Sequence, residues 1–95
     1  MIYRTAILVC HTDCRPKMLG ALQQGQVIKP AGMLTMAYSA GTDDDTIALL
    51  QTWESKKAFD DFGAAMPAEQ KRGFAALVAT TVDAWHSGPL ELPVP

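Results

Sequence analysis

The sequence predicts an α+β domain with the element order β-α-β-β-α-β and a broken second helix. Three observations carry this reading. β-branched and aliphatic segments open and close the ordered pattern, a polar turn joins two further strand-like segments, and apolar residues at helical spacing lie on either side of that pair.

The first segment, IYRTAILVCH (residues 2–11), reads as a strand, and its lack of clean alternation predicts burial on both faces. Asp13 is the expected cap of the helix that follows. Pro16 is tolerated in a first helical turn, where a missing N–H costs little, and Met18, Leu19 and Leu22 supply the apolar stripe. KPAG at 29–32 breaks the pattern. MLTMAYSA (33–40) and TIALLQTW (46–53) then read as two strands, and GTDDD between them makes the pair a β-hairpin. Ser55 stands at the N-cap position of a helix carrying Ala58, Phe59, Phe62 and Met66. Pro67 interrupts that helix and opens another piece, with Phe74, Leu77 and Val78 as its buried face. TTVDAWH (80–86) is the last strand. The proline-punctuated tail, residues 88–95, cannot be a central strand.

This order is the split βαβ, ferredoxin-like arrangement, in which helices cover one face of the sheet. Apolar residues at both strand parities (Leu34 and Met36 against Met33; Leu49 against Leu50) call for cover on the other face as well. A second copy of the chain is the economical cover, so a homodimer is expected. With no internal repeat, linker or low-complexity stretch, residues 1–95 read as one domain.

Composition narrows the function classes. Apolar residues are 48% of the chain and charged residues 19%, which fits a globular protein and not a disordered one. The net charge of −2, with no basic stripe interleaved with aromatics, argues against nucleic acid. The longest apolar run has the length of a strand, so no membrane span is expected. There is no charged n-region leading into a longer apolar stretch, so no signal peptide is expected. Cys10 and Cys14, close together among five methionines, read as reduced thiols of a cytoplasmic protein.

Strand parity selects the candidate site. Ile47, Leu49, Gln51 and Trp53 share one face of their strand, and Ala48, Leu50 and Thr52 share the other. Trp53, with Phe59 and Phe62 from the next helix, either walls a pocket between sheet and helices or is simply core, and the residues alone favour core. His11 is a base at a pocket mouth or a solvated strand end. Arg72 anchors a phenolate or carboxylate, or belongs to the solvated side of EQKR. Tyr38 donates a hydrogen bond or lines the dimer face. His86 and Trp85 have opposite parity, so one of the two faces the helices. CHTDC (10–14) lacks a second ligand pair at zinc spacing, and CxxxC is not the CxxC of thiol oxidoreductases, so neither metal nor cofactor is expected. The acidic run at 43–45 reads as a solvated turn.

Residues 30–62, PAGMLTMAYSAGTDDDTIALLQTWESKKAFDDF, resemble the signature of the antibiotic biosynthesis monooxygenase superfamily: a Pro-Gly turn, a hairpin with an acidic turn, Trp-Glu-Ser, and an aromatic in the next helix. The resemblance implies a dimeric α+β barrel with a cavity in each subunit. In many members it implies cofactor-independent oxygenation of anthrones, quinols or related polyketide aromatics. Such chemistry suits an apolar pocket, because an electron-rich phenolate or carbanion itself gives an electron to dioxygen while the protein binds it and excludes water. On this resemblance Trp53 is the principal pocket residue. Leu49, Gln51, Phe59, Phe62 and Tyr38 are its substrate-binding neighbours, and His11 and Arg72 its polar partners. Leu49 stands where the anthrone-oxygenase branch resembles Asn, and Phe59 where it often has Tyr. The histidine ligand of the haem-degrading branch would fall near Arg72 and its Trp at Phe62, so haem degradation is not expected. Phe62 and Gly63 occupy the place of the helix histidine of the quinol-type branch. The expected function is a cofactor-independent monooxygenase acting on a small planar aromatic, quinol-like or polyketide-type metabolite. The alternative is a non-catalytic small-ligand-binding or dimeric scaffold protein of the same fold, and an isomerase would need His11 inside the pocket.

Overall fold

A computed structural model describes residues 2–88. Its elements are β1 (Ile2–Cys10), α1 (Arg15–Val27), β2 (Met33–Ala40), β3 (Thr46–Trp53), α2 (Lys56–Ala65), α3 (Ala68–Leu77) and β4 (Val78–Ser87). The strands form one antiparallel sheet in the order β2-β3-β1-β4, which is the ferredoxin-like order with the second helix in two pieces. The proline-rich tail beyond Gly88 lies outside the described residues.

Local chemistry explains most element ends. Ser55 caps α2 as expected, its Oγ accepting from the Ala58 N–H at 3.1 Å. Pro67 is the N-cap residue of α3. The hairpin turn closes on itself, Gly41 N–H donating to Thr46 O at 2.9 Å and Thr46 N–H to Asp43 O at 3.2 Å. Asp13, however, does not cap α1. It adopts φ 65°, and Cys14 takes the cap position with no side-chain bond to the helix. Asp tolerates this left-handed conformation better than most residues, so it makes the bend instead of the cap.

The sheet has one covered and one open face. Arg4, Ala6, Leu8 and Cys10 of β1 are buried beneath the helices, as are Ile47, Leu49, Gln51 and Trp53 of β3. β1 therefore alternates, contrary to the expectation of burial on both faces, because among the described residues helices pack on one of its faces alone. On the open face Ile7 and its β4 register partner Val82 remain exposed. The mixed parity of β2 has a separate cause. Its register shifts between Met33 and Thr35, so Met33 and Met36 both reach the helix side while Leu34 is exposed.

The core comprises Ala6, Leu8, Cys10, Met18, Leu22, Ile47, Leu49 and Val78. Leu22 and Met18 confirm the stripe of α1, but Phe74 of α3 is exposed rather than core. Neither α2 nor α3 has a fully buried residue, so both sit above the sheet with space beneath them. No helix among the described residues is long and apolar enough to cross a membrane.

Candidate functional site

That space is a cavity of about 550 Å³, within the range of ligand pockets. Its floor is the covered face of the sheet, with Arg4, Leu8, Leu49, Gln51 and Trp53; its roof includes Met18, Phe59, Phe62, Met66 and Phe74. β3 delivers Leu49, Gln51 and Trp53 by simple alternation, and the Ser55 cap starts α2 close enough for Phe59 and Phe62 to reach the indole. Phe59 meets the Trp53 ring edge-on at 5.2 Å between centroids, and Phe62 lies tilted at 6.0 Å. Trp85 of β4 extends the cluster, edge-on to Phe59 at 4.9 Å.

One end of this apolar space is polar. Arg4 and Gln51 are the buried polar residues of the described chain. The Arg4 Nε–H donates to Asp83 Oδ2 at 2.9 Å, and Nη1–H to Gln51 Oε1 at 3.3 Å. The same oxygen accepts the Trp53 indole N–H at 3.1 Å. Gln51 Nε2 turns to Met36 Sδ at 3.7 Å, and the guanidinium carbon lies 4.9 Å from the Phe59 ring centroid. Gln51 thus ties the two strands' polar groups to the indole and fixes its orientation.

Trp53, Leu49, Gln51, Phe59 and Phe62, which the sequence singles out, converge on this cavity. His11, Arg72 and Tyr38 are placed elsewhere. His11 is exposed, with Nε2 3.1 Å from Ala75 O. Arg72 is exposed on α3, and its neighbour Lys71 lines the cavity instead. Tyr38 pairs with Leu49 in the sheet register and packs against the core beside a shallow groove of Ala37, Ser39, Ala48 and Leu50. Trp85 faces the helices, whereas His86 is on the open face, stacked on Tyr3 at 5.0 Å. Arg4 and Asp83 are the residues that sequence reading missed. An arginine near the start of a strand and an aspartate in TTVDAWH carry no local mark of partnership. Cys10 is buried and Cys14 half-buried, both as free thiols; burial, and next the nearby Asp45 charge, push the Cys10 thiol pKa up.

The fold is that of solved antibiotic biosynthesis monooxygenase structures. Among similar solved structures is a candidate antibiotic biosynthesis monooxygenase from Deinococcus radiodurans, with TM-score 0.74 and 12% identity over 100% of this chain and 99% of that one. A candidate antibiotic biosynthesis monooxygenase from Nitrosomonas europaea matches with TM-score 0.70 and 15% identity over 93% and 98%. SnoaB, a cofactor-independent oxygenase from Streptomyces nogalater, matches with TM-score 0.68 and 15% identity over 98% and 97%. Compared by sequence, the chain matches no family model and no curated protein. At these identities the likeness is one of fold.

Proposed function

We propose that this chain is a cofactor-independent monooxygenase that binds a small planar, quinol-like or polyketide-type aromatic in the cavity beneath α2 and α3. The observation that carries the reading is the cavity itself: about 550 Å³, walled by Trp53, Phe59, Phe62, Leu49 and methionines, with Arg4, Gln51 and the Trp53 N–H joined in one hydrogen-bonded cluster. Aromatic and thioether walls suit a flat ring system. In the proposed reaction the substrate supplies all the electrons. An activated CH2 group flanked by rings becomes C=O; one atom of O2 enters the product and the other leaves as water with the two hydrogens. The protein holds the ring, favours its anionic form and keeps water away. Trp53 acts as a wall whose N–H is engaged by Gln51.

That engagement, together with hydrocarbon at Leu49 and Phe59, favours a second reading: a small-ligand-binding protein of the same fold without oxygen chemistry. Oxygen uptake separates the two. Purified protein is tested with a panel of anthrones and hydroquinones beside Trp53→Phe. Protein-dependent uptake that falls in the variant supports the oxygenase; uptake no faster than the uncatalysed reaction moves the assignment to the binding protein.

The proposal includes a second copy of the chain as the cover of the open sheet face. Ile7 and Val82, paired across β1 and β4 and 45% and 66% exposed, support it.

A further inference from the structure

We propose that Arg4 is the anion-binding group of the cavity, so that the ligand is a planar aromatic carrying an oxyanion: a phenolate, enolate or carboxylate. This rests on the reading of the cavity as a site for a planar aromatic and narrows it to a charge class.

Arg4 is 9% exposed and lines the cavity. A guanidinium has five N–H donors. Among the described residues, one donor of Arg4 is taken by Asp83 and one by Gln51, which leaves three without an acceptor. Every fully buried side-chain nitrogen and oxygen among these residues has a partner; Nη2 of Arg4 makes no bond, so it is not fully buried. The other polar groups at this end are spent differently. The indole N–H of Trp53 is donated to Gln51, and Gln51 turns its amide nitrogen to Met36. The donors left to meet a ligand here are those of Arg4 and the second N–H of Gln51 Nε2, and of the two only Arg4 carries a charge.

Charge points the same way. Among the described residues the lining carries Arg4 and Lys71 against one carboxylate, Asp83, an excess of one positive charge in a chain whose net charge is −2. Asp83 offsets Arg4 only in part. Its side chain is 39% exposed, so solvent screens its charge, whereas that of Arg4 is 11% exposed. The Asp83 bond occupies Nε and the Phe59 ring lies against the guanidinium, so both are positioning groups that hold the fork while Nη2 stays available. An oxyanion accepts such donors in parallel, and in an apolar surround each charge-assisted bond is stronger than a neutral one.

The test uses two probes of one shape, 2-naphthoate and neutral 2-naphthamide, titrated calorimetrically into the wild-type protein. The expected result is tighter binding of the carboxylate by roughly tenfold or more. Arg4→Met should abolish the preference for the carboxylate over the amide, and Lys71→Met should keep most of it. Equal affinity for the two probes in the wild type, which requires no variant to fold, overturns the inference while leaving the aromatic site standing. A preference that survives Arg4→Met but disappears in Lys71→Met overturns it too. Binding of neither probe overturns the aromatic-site reading together with the inference.

Discussion

Trp53 and Gln51, two residues apart on one face of β3, are joined by the indole N–H, which donates to Gln51 Oε1 at 3.1 Å. Arg4 donates to the same oxygen from the neighbouring strand at 3.3 Å. One amide oxygen therefore satisfies two buried donors. Gln51→Leu keeps similar bulk but removes that acceptor, and the expected loss is about 1–3 kcal/mol in urea unfolding, with the midpoint falling at unchanged slope. Gln51→Glu, which retains an acceptor, should lose less. A Leu variant as stable as the wild type would mean that water replaces the lost oxygen.

Gly32 enters β2 with φ +86°, and a Cβ built there would lie 2.6 Å from the Ala58 Cβ of α2. Its carbonyl also accepts the Glu54 N–H at 2.8 Å, pinning the end of β3. Gly32→Ala should cost about 1–3 kcal/mol from backbone strain alone, and the clash adds to it. Gly20, on the exposed side of α1 with nothing near its position, is the control: Gly20→Ala should stabilise by about 0.5–1 kcal/mol. Thermal unfolding of both variants checks the contrast.

The Cys10 thiol has its pKa raised above its ordinary 9.0, first by burial and then by Asp45. The folded state therefore holds this proton more tightly than the unfolded chain does. Its contribution is fully present below the unfolded thiol pKa and is lost as pH rises through the folded value. Wild-type stability relative to Cys10→Ala should decline from about pH 9 upward. In native protein Cys10 should also react with a thiol reagent more slowly than half-buried Cys14, and the difference should vanish in denaturant.

A charge on the open sheet face tests its cover. Val82→Lys is expected to shift the protein from dimer to monomer in light scattering, because burying an unpaired ammonium in an interface is costly. Val82 lies on the face opposite the cavity, so the monomer should retain probe binding. A wild type that is monomeric at all concentrations would remove the dimer proposal.

The local features were legible in the residues: the hairpin of β2 and β3, the Ser55 cap, the break at Pro67, and the alternation that puts Leu49, Gln51 and Trp53 on one face. Each depends on residues a few positions apart, so short-range sterics and hydrogen bonding suffice. The reach of Phe59 and Phe62 toward Trp53 follows from the same short stretch.

Which charged groups join them depends on how distant strands pair. Arg4 and Asp83 meet because β1 and β4 pair antiparallel with Ala6 opposite Asp83 and Trp85 opposite Arg4, which makes the ion pair a diagonal neighbour across the sheet. That register is set by long-range packing, so no local pattern marks either residue. His11 and Arg72 had the right chemistry for a site, but the end of β1 and the outer side of α3 leave both in solvent. Side-chain type is written in the sequence; which side chains face one another is settled when distant strands align and bury one common face.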